Sequence, residues 1–135
     1  MTRVFLDANV LFSAAWRAES GLLRLWSVAS IHLVTSTYAA TEAVRNLDRK
    51  RPEAVARLEA LIARIEIADA LSPLDEGHGL PEKDKPILAA AVGSRCEVLL
   101  TGDIADFGHA IGTALQGVRI LTAAMLFAEL EPPIH

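Results

Sequence analysis

Short, continuous apolar runs alternate with segments of helical periodicity along the chain. Residues 4–6 (VFL) form an apolar triplet of the kind shown by a strand buried on both faces. Leu22, Leu25, Trp26 and Ala29 recur at helical spacing, and residues 31–34 (IHLV) predict a second strand. Thr35, Ser36 and Thr37 offer a helix N-cap ahead of a stripe at Ala40, Ala43, Val44 and Leu47. Pro52 restarts a helix with Ala54, Leu58, Leu61, Ile62 and Ile65 on one face, and residues 65–68 predict a short third strand. Residues 69–83 (DALSPLDEGHGLPEK) carry Gly, Pro and acids without periodicity and read as a long loop. Residues 86–92 are apolar on all sides, as a buried helix is. Residues 97–101 (EVLLT) and 118–121 (VRIL) predict the fourth and fifth strands. Thr122 then caps a final helix with Met125, Leu126 and Leu130 inside.

Strands alternating with helices imply an α/β fold with a parallel sheet covered on both faces. No repeat, low-complexity tract or linker interrupts the pattern, so one domain over residues 1–135 is expected. Ligands in such folds bind beyond the carboxyl ends of the strands. Asp7 follows the first strand there. Glu42 lies early in the helix after the second strand, and Asp84 starts the buried helix. Asp103 follows the fourth strand in LLTGD, with Asp106 three residues on.

Each acid also has a structural alternative. Asp7, Asp84 and Asp106 can cap helices, and Glu42 can pair with Arg45 one turn away. Taken together, however, carboxylates from four segments at one edge repel unless something neutralises them. A divalent cation does so, and an all-oxygen set suits Mg²⁺ or Mn²⁺ rather than Zn²⁺. His32, His78, His109 and His135 show no metal-ligand spacing; His78, in the long loop, stays as a faint candidate. Asn9, Ser13 and Thr101 are polar groups near the same edge.

Composition narrows the partners. Of 135 residues, 52% are hydrophobic, which excludes a disordered chain. No apolar stretch approaches the ~20 residues needed to span a bilayer, and no signal segment is read, so a cytoplasmic protein without a membrane partner is expected. The lone Cys96 makes no internal disulfide and reads as a core residue. The net charge of −4 is uneven. Residues 1–64 hold nine Lys/Arg against six Asp/Glu, and residues 65–135 hold four against eleven. Arg45, Arg49 and Lys50, near Glu42, are positioned either to hold nucleic-acid phosphates or to form an ordinary solvated helix face.

FLDANV near the start, Glu42 after the second strand, KDKPILAAA and LLTGDIADF occur in an order that resembles the PIN-domain nucleases over nearly the whole chain. The resemblance implies a three-layer α/β/α sandwich with a five-stranded parallel sheet of order 3-2-1-4-5. It implies Mg²⁺- or Mn²⁺-dependent endonucleolytic cleavage of single-stranded RNA, often by a homodimer, leaving a 5′ phosphate. Asp7, Glu42, Asp84 and Asp103 match the family's catalytic acids. Asp7, Asp84, Asp103 and Asp106 are the metal-ligand candidates, with Asn9 and Thr101 supporting. Asp106 departs from the family's spacing by one residue and is placed either to enter the site or to cap the next helix. Many small members are toxins held by a cognate antitoxin, so an antitoxin partner is expected. Two other classes remain: a non-catalytic PIN-like interaction domain, and an aspartyl-phosphate phosphotransfer domain using Lys85-Pro86.

Overall fold

The structure, a computed structural model, describes residues 1–130; His135 lies outside the described residues. Strand β1 (Thr2–Leu6) runs into helix α1 (Ala8–Trp16). A 3-10 helix (Gly21–Ser27) leads to β2 (Ile31–Thr35) and α2 (Thr37–Lys50). Then come α3 (Val55–Ile62), β3 (Glu66–Ile67), α4 (Lys85–Gly93), β4 (Val98–Leu100), α5 (Ile104–Phe107), β5 (Ala114–Leu115), β6 (Val118–Leu121) and α6 (Ala123–Leu130).

The sheet order is β3-β2-β1-β4-β6-β5. The first five of these strands are mutually parallel, and β5 pairs antiparallel with β6. The expected five-stranded parallel sheet is therefore corrected to a six-stranded mixed one. The parallel order 3-2-1-4-5 holds once residues 118–121 are taken as its fifth strand. The extra strand has only two residues. It exists because Gln116 and Gly117 both take positive φ (51° and 85°), the geometry of a tight hairpin turn.

Val4, Phe5 and Leu6 are all fully buried, as are Leu99 and Leu100 with Val98. Consecutive strand residues point to opposite faces, so both faces of the central strands are covered, as a three-layer arrangement requires. Thr35 closes the carboxyl end of β2 onto β1 by donating its hydroxyl to the Leu6 carbonyl at 2.9 Å.

Helix α1 was not expected, because apolar Phe12 and Trp16 lie on its less buried face as well as Ala8, Val10, Leu11, Ala14 and Ala15 on the buried one, which blurs the helical period in the sequence. The helical spacing over residues 22–29 resolves into the shorter 3-10 segment, capped by Ser20, with Ala29 exposed beyond it. The long loop is strapped down at several points. Ser72 donates to the Ala89 carbonyl, and Gln116 bonds both Asp75 and Pro73. Gly93 lets the loop pass: a Cβ there would lie 2.1 Å from the Ala70 carbonyl oxygen. No described helix is long and apolar enough to cross a membrane.

Candidate active site

Asp7 sits where β1 becomes α1, and it serves both elements. Its backbone N–H donates to the Leu100 carbonyl, and its Oδ1 accepts from the Ala8 N–H at 2.7 Å as the helix N-cap. Oδ2 accepts from the Thr101 hydroxyl at 2.8 Å and from Asn9 Nδ2 at 3.4 Å. Thr101 Oγ1 in turn accepts from the Asp103 N–H at 3.0 Å, and Asn9 Oδ1 accepts from the Gly102 N–H at 2.8 Å. Asn9 and Thr101 thus lock the loop after β4 against the start of α1.

Asp7 is only 4% exposed. Burial pushes its carboxyl up to about 6; the Thr101 and Ala8 hydrogen bonds oppose this, while the charges of Glu42 and Asp103 add to it.

Asp84 ends a 3-10 turn (Glu82–Asp84), and Pro86 in the next turn stiffens the start of α4. Its side chain makes no cap bond, so the capping alternative fails for this residue. Instead the carboxylate is buried, and Oδ2 has no hydrogen-bond partner. Burial raises its pKa, the adjacent Asp106 and then Asp7 raise it further, and Lys83 partly offsets them.

Capping near β4 falls to Asp103, not Asp106: Asp103 Oδ1 accepts the Asp106 N–H at 2.9 Å. Asp106 is held low first by Lys83, whose Nζ lies 3.1 Å from Oδ2, and then by Asp84.

These acids converge. Asp84, Asp103 and Asp106 each offer a carboxylate oxygen within 4.8 Å of the others. Asp7, Glu42, Asp84 and Asp103 line one cleft of about 400 Å³, together with Asn9, Ser13, Lys83, Asn46, Arg49 and Lys50. Glu42 reaches it from the exposed side of α2, while Arg45 lines the adjoining hollow with Tyr38 and Thr41. Arg49 donates to Asn46 Oδ1 at 2.6 Å. Asn46 and Lys83 were missed in the sequence. Asn46 had a usable signal, lying one turn after Glu42; Lys83 had none beyond its place beside Asp84.

His78 is turned away from the cleft: its Nδ1 accepts from the Leu80 N–H, and its carbonyl meets His109. Cys96 is buried beside Ser94, and Phe107 is fully buried, both as core residues.

The residues fit a divalent cation. The clustered donors of Asp84, Asp103 and Asp106 are all carboxylate oxygens, and Asp84 Oδ2 is buried without a hydrogen-bond partner. Repulsion among the acids favours any cation that joins them.

The PIN-domain sequence profile matches residues 3–105, a span that contains Asp7, Glu42, Asp84 and Asp103. The chain belongs to the PIN domain family. No curated protein sequence matches it. Among solved structures it is similar to a chain of VapBC2 from Rickettsia felis bound to a promoter DNA fragment, at 13% identity and TM-score 0.62, covering 88% of this chain and 97% of that one. DNA-bound VapBC from Salmonella typhimurium gives 19% identity and 0.62 over 89% and 97%. Mycobacterium tuberculosis VapC20, a sarcin-ricin loop cleaving toxin, gives 18% and 0.58 over 86% and 98%. At these identities the likeness establishes a common fold.

Proposed function

We propose that this protein is a Mg²⁺- or Mn²⁺-dependent endoribonuclease for single-stranded RNA, and the toxin of a toxin–antitoxin pair. The observation that carries this is the convergence of carboxylate oxygens from Asp84, Asp103 and Asp106 within 4.8 Å, with Asp84 Oδ2 buried and partnerless, at the cleft that Asp7, Glu42, Asp84 and Asp103 line. Family membership and structural likeness to VapBC assemblies and to a sarcin-ricin loop cleaving toxin support it. A cognate antitoxin, a homodimer, and a single working unit over residues 1–135 belong to the same proposal.

Asp7, Asp84 and Asp103 hold the cation, with Asp106 at the rim and Glu42 facing the cleft as a base or an additional ligand. Bound there, a divalent ion supplies a more acidic water and compensates charge on the phosphate. Thr101 and Asn9 keep Asp7 oriented. Arg49 and Lys50, on the cleft wall, with Arg45 next to it, hold flanking phosphates of the strand.

The phosphotransfer alternative loses its lysine, because Lys85 is bonded to Glu82 on the surface. The test is cleavage of a mixed RNA pool with Mg²⁺ or EDTA. Parent protein with Mg²⁺ cuts, and EDTA stops it. Asp7→Asn loses at least about 10²-fold, since the metal's share of charge stabilisation is several kcal/mol. Cutting by Asp7→Asn at the parent rate refutes the assignment.

A further inference from the structure

The segment EKDK (residues 82–85) puts a lysine on each side of buried Asp84, and the two ammonium groups go to different places. Lys85 bonds Glu82 at the surface. Lys83, though exposed, turns toward the acids: its Nζ lies 3.1 Å from Asp106 Oδ2, and the residue lines the same cleft as Asp7, Glu42, Asp84 and Asp103. Its root is fixed, because the Lys83 carbonyl accepts the Tyr38 hydroxyl at 2.8 Å, and the next residue's N–H bonds the Pro81 carbonyl at 3.0 Å. Among the described residues, this is the one salt bridge to any of the clustered acids.

On open surface, such a pair is worth only ~0–1 kcal/mol and needs no explanation. Its position here is different. Asp106 belongs to a carboxylate triplet compact enough to share one ion. Two-metal nucleases set their ions ~3.5–4 Å apart, and a second ion that draws on Asp106 meets the acid that Lys83 already holds. An ammonium seated there repels an incoming dication and leaves it fewer free oxygens.

We propose that Lys83 is the resident cation of this site: its ammonium holds Asp106 in place of a second metal ion, leaving Asp7, Asp84 and Asp103 to bind one. Lysine suits this place as a compact point charge on a flexible stem, able to follow the carboxylate. The inference rests on the acids being a divalent-ion site, and it adds how many ions that site takes.

The test counts Mn²⁺ bound to RNA-free protein at about pH 8, above the raised Asp7 value of about 6, by calorimetry and by loss of the free-ion paramagnetic resonance signal. The parent binds one Mn²⁺ per chain. Lys83→Met binds two, and Lys83→Arg, which keeps the charge, binds one. Lys83 is exposed, so both variants fold. Equal counts in the parent and Lys83→Met, or two ions in the parent, overturn the role of Lys83 and leave the metal site standing. No Mn²⁺ bound by any of the three overturns the metal site and this inference together. The expected counts without RNA cleavage keep the inference and remove the nuclease activity.

Discussion

The two ends of one sheet treat their acids in opposite ways. Toward the amino ends of the strands, Glu66 of β3 accepts from both terminal nitrogens of Arg3 on β1, at 3.1 and 2.8 Å, and lies 2.9 Å from His32 Nε2 on β2. Arg3, and then His32, hold the Glu66 carboxyl down at about 2. At the carboxyl ends, burial pushes Asp7 up to about 6, and Asp84 is raised with one oxygen partnerless. The first acid ties a two-residue edge strand to its neighbours and is electrically complete. The second group gathers more negative charge than its lysine can balance, and it gives up stability to do so. Charge balance, rather than the presence of acids, separates the two ends.

The strongest way to break this contrast is to remove charge at the carboxyl end. Asp7 has its folded pKa raised above the ordinary 3.8, so its favourable contribution is complete below that value and is lost as pH rises through about 6. Asp7→Asn keeps an N-cap oxygen and avoids that loss. In EDTA it should be more stable than the parent at pH 7.5 by up to about 3 kcal/mol. The advantage should fade between pH 6 and 4, as read from urea unfolding at each pH. Equal stabilities across this range mean that Asp7 is not strained.

A smaller effect is expected at Thr101. Thr101→Val removes the hydroxyl that favours ionised Asp7. Mn²⁺ affinity should fall by roughly 10- to 100-fold, and the acid limb of the cleavage profile should move to higher pH. Unchanged affinity makes the Thr101 contact incidental.

The least effect belongs to the balanced end. Glu66 is depressed, so its stabilisation is present above pH 4.5 and lost as pH falls through about 2. Because it is well exposed, Glu66→Gln should cost under about 1 kcal/mol at pH 7 and leave RNA cleavage unchanged. A large loss of cleavage would mean that the two ends are coupled.

The same contrast explains what could be read from the sequence. The central strands were legible because VFL and VLL are continuous apolar runs, and the acids following them locate the chemical edge. Asp7, Glu42, Asp84 and Asp103 do share one cleft. Helix α1 was hidden by the apolar Phe12 and Trp16 on its outer face, and β5 by its two-residue length. Their causes, a helix whose outer face mixes Asn9 and Ser13 with aromatic rings and a Gln-Gly hairpin turn, leave little periodic signal. Which acid caps and which stays free was equally closed to inspection. Spacing pointed to Asp106 as a cap, and only the fold decides that Asp103 takes the Asp106 N–H. The Tyr38 hydroxyl that bonds the Lys83 carbonyl comes from 45 positions away in the chain.

The central claim is that the carboxyl-end acids are held together in wait for a divalent cation. Melting the parent and Asp84→Asn at about pH 8, in EDTA and in saturating Mn²⁺, tests it most directly. In EDTA the variant should melt higher than the parent, because the partnerless buried charge is gone. Mn²⁺ should then raise the parent by several degrees, about 2.7 kcal/mol at a hundredfold excess over Kd, and leave the variant almost unmoved. A parent that melts at the same temperature in Mn²⁺ as in EDTA, and above Asp84→Asn in both, contradicts the claim.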